Sequence, residues 1–374
     1  MAFEQLTTPS LLLDLARVRR NADEMRQRIH RLGCSLRPHV KTHKCIEVAA
    51  LQVERPLGPI TVSTLAEAQA FVRAGYHDVT YAVPIEPAKF ASVICLAREC
   101  SHFGVLVDDL EVVNALDRSA ASAGQSLNVY LKVDCGYHRC GVLPDSPEAA
   151  SLPARLARAQ HLRFQGLLTH AGQSYACRND ADRKRVAVEE RDAVADLASR
   201  LRSAGIDVPV VSVGSTPTLS AADDLTGVTE ARPGNYIFFD GSQAARGVCS
   251  LEQCALTVLA SVIHRDTAGR RVVIDAGAIA LSKDSGVAGQ GGLSHYGHVL
   301  EEGGTLIGAR LSYLAQEHGV FDCPDDYDLA KLRVGTRVRI VPNHSCLTAA
   351  QFPGYNVIEQ QSVVAYWGIH SHWH

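Results

Sequence analysis

The run Arg37-Pro38-His39-Val40-Lys41-Thr42-His43-Lys44 crowds two lysines, two histidines and an arginine behind a strand-like segment. A lysine amine among other cations has its pKa lowered towards use as a nucleophile, although such a run standing alone is a solvated basic loop. Further on, Lys132–Gly141 (KVDCGYHRCG) closes another strand-like segment and places Arg139 where it could hydrogen-bond an anionic oxygen. Gly214-Ser215-Thr216-Pro217-Thr218 and Arg232-Pro233-Gly234-Asn235-Tyr236 end two later ones. Small and hydroxyl residues with free backbone N–H groups at the ends of late barrel strands form a phosphate cradle, whereas GSTPT in isolation is equally a turn. A reactive lysine, an arginine and a phosphate cradle on one scaffold describe a pyridoxal phosphate site.

A second constellation is Pro342-Asn343-His344-Ser345-Cys346. On an extended strand, residues two apart share a face, so His344 and Cys346 could grip one metal ion. Imidazole plus thiolate is a zinc preference. Two protein ligands leave positions for water and substrate, as a catalytic metal requires. Alone, His-Ser-Cys reads as a buried turn.

These groups need a rigid frame, and the first two thirds of the chain supply one. Strand-like Ser35–Lys41, Ile60–Val62, Asp78–Val83, His102–Val107, Leu127–Val133, Leu162–Thr169, Val208–Val213 and Thr229–Phe238 alternate with helix-like stretches. Val/Leu/Ile-rich strands separated by helices imply parallel pairing buried on both faces. About eight such units fit an N-terminal (β/α)8 barrel of the TIM type, here expected over residues 1–244, whose strand ends collect catalytic groups. Ser10–Leu15 reads as a strand that can join a second domain, and Ala16–Leu32 as a helix ended by Gly33. After residue 245 the texture is mostly β: Cys254–His264, Arg271–Asp275, Thr305–Ser312, Thr336–Pro342 and Gln361–Tyr366 are strand-like, and Gly286–Gly304 reads as a glycine-rich loop.

Composition narrows the partners. In 374 residues, Lys+Arg 37 against Asp+Glu 40 leaves a net charge of −3, with no basic excess for nucleic acid or an anionic membrane. No apolar run approaches the ~20 residues of a membrane span, and the start MAFEQLTTPS has no signal-peptide pattern. Eleven cysteines, an odd number without zinc-ribbon spacing, read as reduced thiols of a cytoplasmic protein. The expected partner is a small molecule. His370, His372 and His374 read as a solvated tail, and Tyr296 with His298 as candidates for lining a substrate entrance.

At these motifs the chain resembles the fold-type-III pyridoxal-phosphate enzymes, the alanine-racemase-like barrels. Within them it looks most like the D-serine dehydratases, D-threonine aldolases and 3-hydroxy-D-aspartate lyases. The resemblance runs from Thr8-Pro9-Ser10 through RPHVKTHK, KVDCGYHRCG, THAGQSY, VGSTPT and RPGNY to PNHSC. It implies pyridoxal 5′-phosphate held on Lys41, with Lys44 the second lysine of the motif and Arg139 on the cofactor phenolic oxygen. It also implies phosphate contacts from Ser215, Thr216, Gly234 and Asn235, and Tyr175 beside the pyridine nitrogen. His170 and Tyr236 complete the cofactor-binding set. Arg232 matches the racemase arginine at the pyridine nitrogen, and Lys132 a cofactor-proximal lysine or a structural ion pair. His344 and Cys346 would hold a divalent metal, zinc first, with manganese or magnesium as alternatives. Members are commonly homodimers. The implied activity is removal of water and then ammonia from a β-hydroxy D-amino acid. The dehydratase branch carries His-x-Cys where the aldolases carry His-x-Asp, so Cys346 leans towards elimination over an aldolase giving glycine and an aldehyde. A racemase needs no metal, and non-catalytic cofactor carriers lack the second domain.

Overall fold

The computed structural model describes residues 5–285, 294–360 and 362–370, and contacts divide the chain into two units. One is Asp23–Gly234 with His370; the other joins the residues up to Ala22 to Asn235–Ile369. The division thus falls between Gly234 and Asn235, earlier than the 244/245 boundary that texture suggested.

Asp23–Gly234 forms an eight-stranded parallel sheet. In space, Ser35–Leu36, Glu230–Ala231, Val210–Val213, Leu162–Leu168, Leu127–Lys132, His102–Val107, Asp78–Pro84 and Ile60–Val62 follow one another. The Thr61 amide donates to the Pro38 carbonyl at 2.9 Å and His39 bridges Thr61, which returns the last strand to the first and closes a barrel. Strand His102–Val107 shows why: Phe103, Val105, Leu106 and Val107 are all buried, so both faces need cover. Helices provide it. Leu110–Ser122 buries Val113, Leu116 and Ala120, and Asp109 caps it by accepting from the Val112 amide. Thr64 caps Leu65–Arg73 by accepting from the Glu67 amide, and Glu67 reaches back to the Ser63 amide at 2.8 Å.

Two strands are shorter than expected, and proline is the reason. Regular pairing in the first stops at Leu36, before Pro38, and the chain winds into the 3₁₀ turn Val40–Thr42. The last stops at Ala231, before Pro233, and continues as the 3₁₀ turn Asn235–Ile237. A proline has no N–H to give the ladder. Both motifs therefore lie on turns at strand ends.

The second unit is a ten-stranded sheet. Ser10–Asp14 joins it, antiparallel to Leu256–Asp266 and parallel to Gly354–Glu359. Arg337–Pro342 lies antiparallel to both Leu256–Asp266 and Gly297–Glu301. The strand Gly297–Glu301 corrects part of the expected Gly286–Gly304 loop, whose residues 286–293 lie outside the described ones. Gly297 takes φ +151, and a Cβ there would stand 2.8 Å from the Val341 carbonyl oxygen. That glycine permits close strand approach, although glycine-richness reads as a loop. Gly319–Asp322 and Gly354–Glu359, also opened by glycine, are strands without a sequence signal. Among the described residues, no helix is long and apolar enough to cross a membrane.

Candidate active site

Lys41 sits in the 3₁₀ turn at the end of the first barrel strand, exposed between buried Val40 and Thr42. The turn is held on both sides. The His39 amide donates to the Pro233 carbonyl at 2.9 Å, and a Cβ on Gly234 would lie 3.0 Å from the His39 carbonyl oxygen and 3.3 Å from Thr42 Oγ1. A side chain at position 234 would have to push the His39 turn aside by a few tenths of an ångström. Lys44 is spent differently: its amine pairs with buried Glu67 at 3.3 Å, and its carbonyl accepts from the His370 amide. His372 and His374 lie outside the described residues.

His170 stands over the same barrel end. Its Nδ1 is 2.6 Å from the Gly214 carbonyl oxygen, an acceptor, so Nδ1 carries the proton and Nε2 keeps its lone pair. Burial first, then the charges of Lys41, Lys132 and Arg139, outweigh that bond and push the imidazole well below its ordinary range. His39 is pushed the same way by burial, Lys41, Arg232 and His170. Burial, with Arg232 and Arg139, also lowers the Lys132 amine, against an opposing influence from Cys140 and Cys135. Two neutral imidazoles among lysines and arginines make a site that attracts anions.

Aromatic rings shape one wall. The His170 ring lies 6.3 Å from Tyr137, edge to face, and 6.4 Å from Tyr175, while the Arg139 guanidinium sits 5.2 Å over the Tyr137 ring. The arginine matched to the pyridine nitrogen is otherwise engaged: Arg232 Nη1 donates to Ser212 Oγ at 2.5 Å and Nη2 to the Thr169 carbonyl. Lys132 donates to the Val133 carbonyl at 2.9 Å rather than forming the alternative ion pair.

The Gly214–Thr218 turn is built from below. Ser215 caps the helix Thr216–Ala221, and its Oγ meets Ser174 Oγ at 2.9 Å. Glu190, buried on the helix Asp180–Ser203, accepts from the Ala171 amide at 2.9 Å, the Gly214 amide at 3.0 Å and Thr218 Oγ1 at 2.7 Å. One carboxylate thus fastens the His170 turn to the Ser215 turn.

Asn235, Tyr236, His344 and Cys346 belong to the β unit. The extended geometry expected for the metal pair gives way here: the strand ends at Pro342, His344 precedes the short helix Ser345–Ala349, and Cys346 sits in its first turn. The buried Asp240 carboxylate causes the bend by accepting from the Ser345 amide at 3.1 Å. The donors still meet, because the His344 imidazole hydrogen-bonds Asp284 and Cys346. Burial opposes its charge, but Asp284, at 2.6 Å from Nδ1, and Cys346 raise it to about 11. Asn235 Nδ2 donates to Asp240 at 2.8 Å and approaches Cys346 Sγ at 3.7 Å. The Oδ1 atoms of Asn235 and Asn343 are buried without a hydrogen-bond partner. Among the described residues, no group of three or more His, Cys, Asp or Glu could hold a metal. An imidazole, a thiol and two orphaned acceptors suit an ion that keeps waters of its own.

The family model described as alanine racemase, N-terminal domain, matches residues 13–242, and the putative serine dehydratase domain matches residues 255–358. The chain belongs to the alanine-racemase-like pyridoxal-phosphate enzymes. It is 39% identical to D-threo-3-hydroxyaspartate dehydratase of Delftia sp. over 97% of each chain. It is 34% identical to D-serine dehydratase of Dictyostelium discoideum over 96% of this chain and 95% of that one. A solved structure of a D-threo-3-hydroxyaspartate dehydratase mutant in the metal-free form superposes with TM-score 0.93 at 38% identity, covering 99% of both chains.

For a member of this racemase-like family, sequence reasoning missed three carboxylates. Glu190 is lost in a charged helical run, and Asp284 in a turn-like Ser-Lys-Asp-Ser-Gly. Asp240 did leave a signal, since Asp-x-x-Gln after an aromatic run marks a helix start, and its side chain accepts from the Gln243 amide. Tyr296 and His298 sit in the β unit. The Tyr296 amide donates to the Leu311 carbonyl, and His298 is a strand residue opposite Arg310.

Proposed function

We propose that the chain is a pyridoxal-phosphate- and metal-dependent lyase that removes water and then ammonia from a β-hydroxy D-amino acid, either D-serine or a 3-hydroxy-D-aspartate. The observation that carries this reading is the exposed Lys41 turn pressed against Gly234 among His39, His170, Lys132, Arg139 and Arg232. When bound, the cofactor supplies an electron sink for charge developing at Cα, and the metal a Lewis acid for the β-hydroxyl.

The chain's own residues do the rest. Lys41 would anchor the cofactor and, once its amine is free, would take the Cα proton. General-base help of this kind is worth roughly 10²–10⁴-fold. By the family resemblance Arg139 would meet the phenolic oxygen and Tyr175 the pyridine nitrogen, with His170 between the Tyr137 and Tyr175 rings. By the resemblance Ser215, Thr216, Gly234 and Asn235, with Tyr236, would hold the phosphate. His344 and Cys346 would bind the metal, for which their nitrogen and sulfur donors favour zinc. Loss of the Cα proton and the β-hydroxyl releases water. Adding water back to the resulting imine releases ammonia and leaves pyruvate from D-serine or oxaloacetate from a 3-hydroxyaspartate. The similarity to proteins named dehydratases and the thiol at Cys346 support elimination over retro-aldol cleavage. We also place the enzyme in the cytoplasm as a homodimer, a reading supported by its free cysteines and by the family resemblance.

The test incubates the holoenzyme with D-serine, D-threonine, both 3-hydroxyaspartate diastereomers and their L counterparts. Ammonia and an oxo acid from D substrates are expected. Glycine from D-threonine as the main product would replace the dehydratase with the aldolase, and faster turnover of an L isomer would overturn the substrate class.

A further inference from the structure

We propose that Asp284 is the positioning residue of the metal turn, fixing the His344 proton on Nδ1 and so presenting Nε2 to a divalent cation. This rests on the proposed metal role of His344 and Cys346.

The argument starts from what each group can do. Asp284 Oδ2 lies 2.6 Å from His344 Nδ1. An ionised carboxylate only accepts, so Nδ1 must be the donor, and the lone pair available to a metal is on Nε2. A neutral imidazole left alone exchanges its proton between the two nitrogens and is the wrong ligand part of the time. A carboxylate behind the ring removes that choice and makes the ligating nitrogen more basic.

The backbone around Asp284 is arranged to make this contact. The short helix Ala278–Leu281 ends at Ser282, which takes φ +66 and ψ 150, a region non-glycine residues avoid. The Asp284 amide then donates to Ser282 Oγ at 3.1 Å, turning the carboxylate towards His344. Independently, Thr348 Oγ1, from the helix that carries Cys346, donates to the Leu281 carbonyl at 3.0 Å. Two separate bonds therefore tie the Asp284 segment to the ligand segment, one on each side of the strained residue. A casual surface ion pair has no need of such a frame. Asp240 acts on His344 only through its charge and makes its hydrogen bonds elsewhere: it accepts from the Ser345 backbone and from Asn235, the amide beside Cys346.

The test measures metal binding rather than turnover. Full-length holoenzyme carrying Asp284→Ala, Asp284→Asn or His344→Ala is compared with the parent by Zn²⁺ competition against a chromophoric chelator, and by the absorption spectrum after Co²⁺ loading. Asp284→Ala should weaken Zn²⁺ binding about 10–100-fold. Asp284→Asn should recover part of the loss, because its amide oxygen still accepts from Nδ1. The cobalt–thiolate band and the cofactor absorbance should match the parent in both. Parental Zn²⁺ affinity in Asp284→Ala overturns the inference. So does a loss as complete as in His344→Ala with an altered cobalt spectrum, which would make Asp284 a ligand. Loss of cofactor and of thermal stability together would make it merely structural. If the parent itself takes up no Zn²⁺, the metal reading fails as well; if the parent binds and Asp284→Ala binds equally, only this inference does.

Discussion

At the barrel end, burial and the charges of Lys41, Lys132, Arg139 and Arg232 keep His39 and His170 neutral. At the Pro342–Cys346 turn, burial opposes the charge on His344 and loses to Asp284 and Cys346. Both regions use histidines at the ends of strands. The difference lies in where the carboxylates are aimed. Glu190 faces backbone amides and a hydroxyl beneath the barrel turns, and Glu230 faces Arg37 and Ser212, so the barrel mouth stays cationic. Asp284 points directly at the His344 imidazole. The same residue type therefore leaves the barrel imidazoles among cations and raises the charge of His344.

The largest effect should come from Lys41. Lys41→Ala should lower turnover by roughly 10²–10⁴-fold or more, because the general base and the covalent anchor leave together. Borohydride reduction and peptide mapping of the parent enzyme check the anchor: the pyridoxyl group is expected on Lys41, while Lys44 is held by Glu67. An adduct on Lys44 would move the centre of the cationic site and break the comparison at its first member.

Cys346→Ala probes the other region. Loss of the β-hydroxyl should fall by orders of magnitude, since one of two protein donors is gone, while solvent deuterium should still enter Cα of unreacted substrate. Chelation of the parent should mimic the variant, and added Zn²⁺ should restore the parent alone. Cys346→Asp should keep some metal and show at most weak glycine formation from D-threonine. A metal-free parent with full activity, or one that unfolds at assay temperature, sinks the catalytic role.

Glu190→Ala tests whether a carboxylate facing away from the site still builds it. It strands the Ala171 and Gly214 amides and the Thr218 hydroxyl, and an orphaned buried group costs about 1–3 kcal/mol. Cofactor affinity, read from absorbance titration, should fall about tenfold with little change in the bound spectrum. Glu190→Gln should recover most of it, because its amide oxygen can still accept. Unchanged affinity in Glu190→Ala would confine the carboxylate to stability.

How much of this was legible depended on whether a residue's partner is near in sequence. Parallel strands announce themselves through local pattern, and the motifs around Lys41, Arg139, Ser215 and Gly234 sit at strand ends as their order suggested, whereas the turn at Lys41 reads from sequence as the end of a strand. Gly297–Glu301 did not announce itself, because a glycine needed to let two strands approach looks like a glycine in a loop. The supporting carboxylates were silent for a related reason. Glu190 meets Gly214, and Asp284 meets His344, only after distant segments fold together, and nothing local distinguishes them from solvated acids. The bend at Ser345 likewise follows from Asp240, more than a hundred residues upstream.

The smallest expected effect is a pH dependence that only neutral imidazoles produce. His43, beside the Lys41 turn, is lowered to about 4 by burial, against partial compensation from Gln52 and the Cys45 amide. His39 and His170 shift in the same direction. Below the ordinary value of about 6.5, the unfolded chain takes up protons that the folded barrel refuses, so stability falls on acidification. It is fully present above that value, and the His43 share is exhausted once pH drops past its folded pKa. One pKa unit is worth about 1.4 kcal/mol, so the shift of His43 from about 6.5 to about 4 limits it to about 3.5 kcal/mol. Thermal unfolding of metal-loaded holoenzyme between roughly pH 6.5 and 5, above most carboxylate titration, should show a midpoint that drops with acid. His43→Asn should show a shallower drop, even if its midpoint at neutral pH is lower. Metal loading matters to the sign: a free His344 is raised rather than lowered, and would oppose the trend by favouring the protonated fold. A parental midpoint that is flat or rises across this window would mean that the barrel imidazoles are already charged, and the contrast between the two regions would fall.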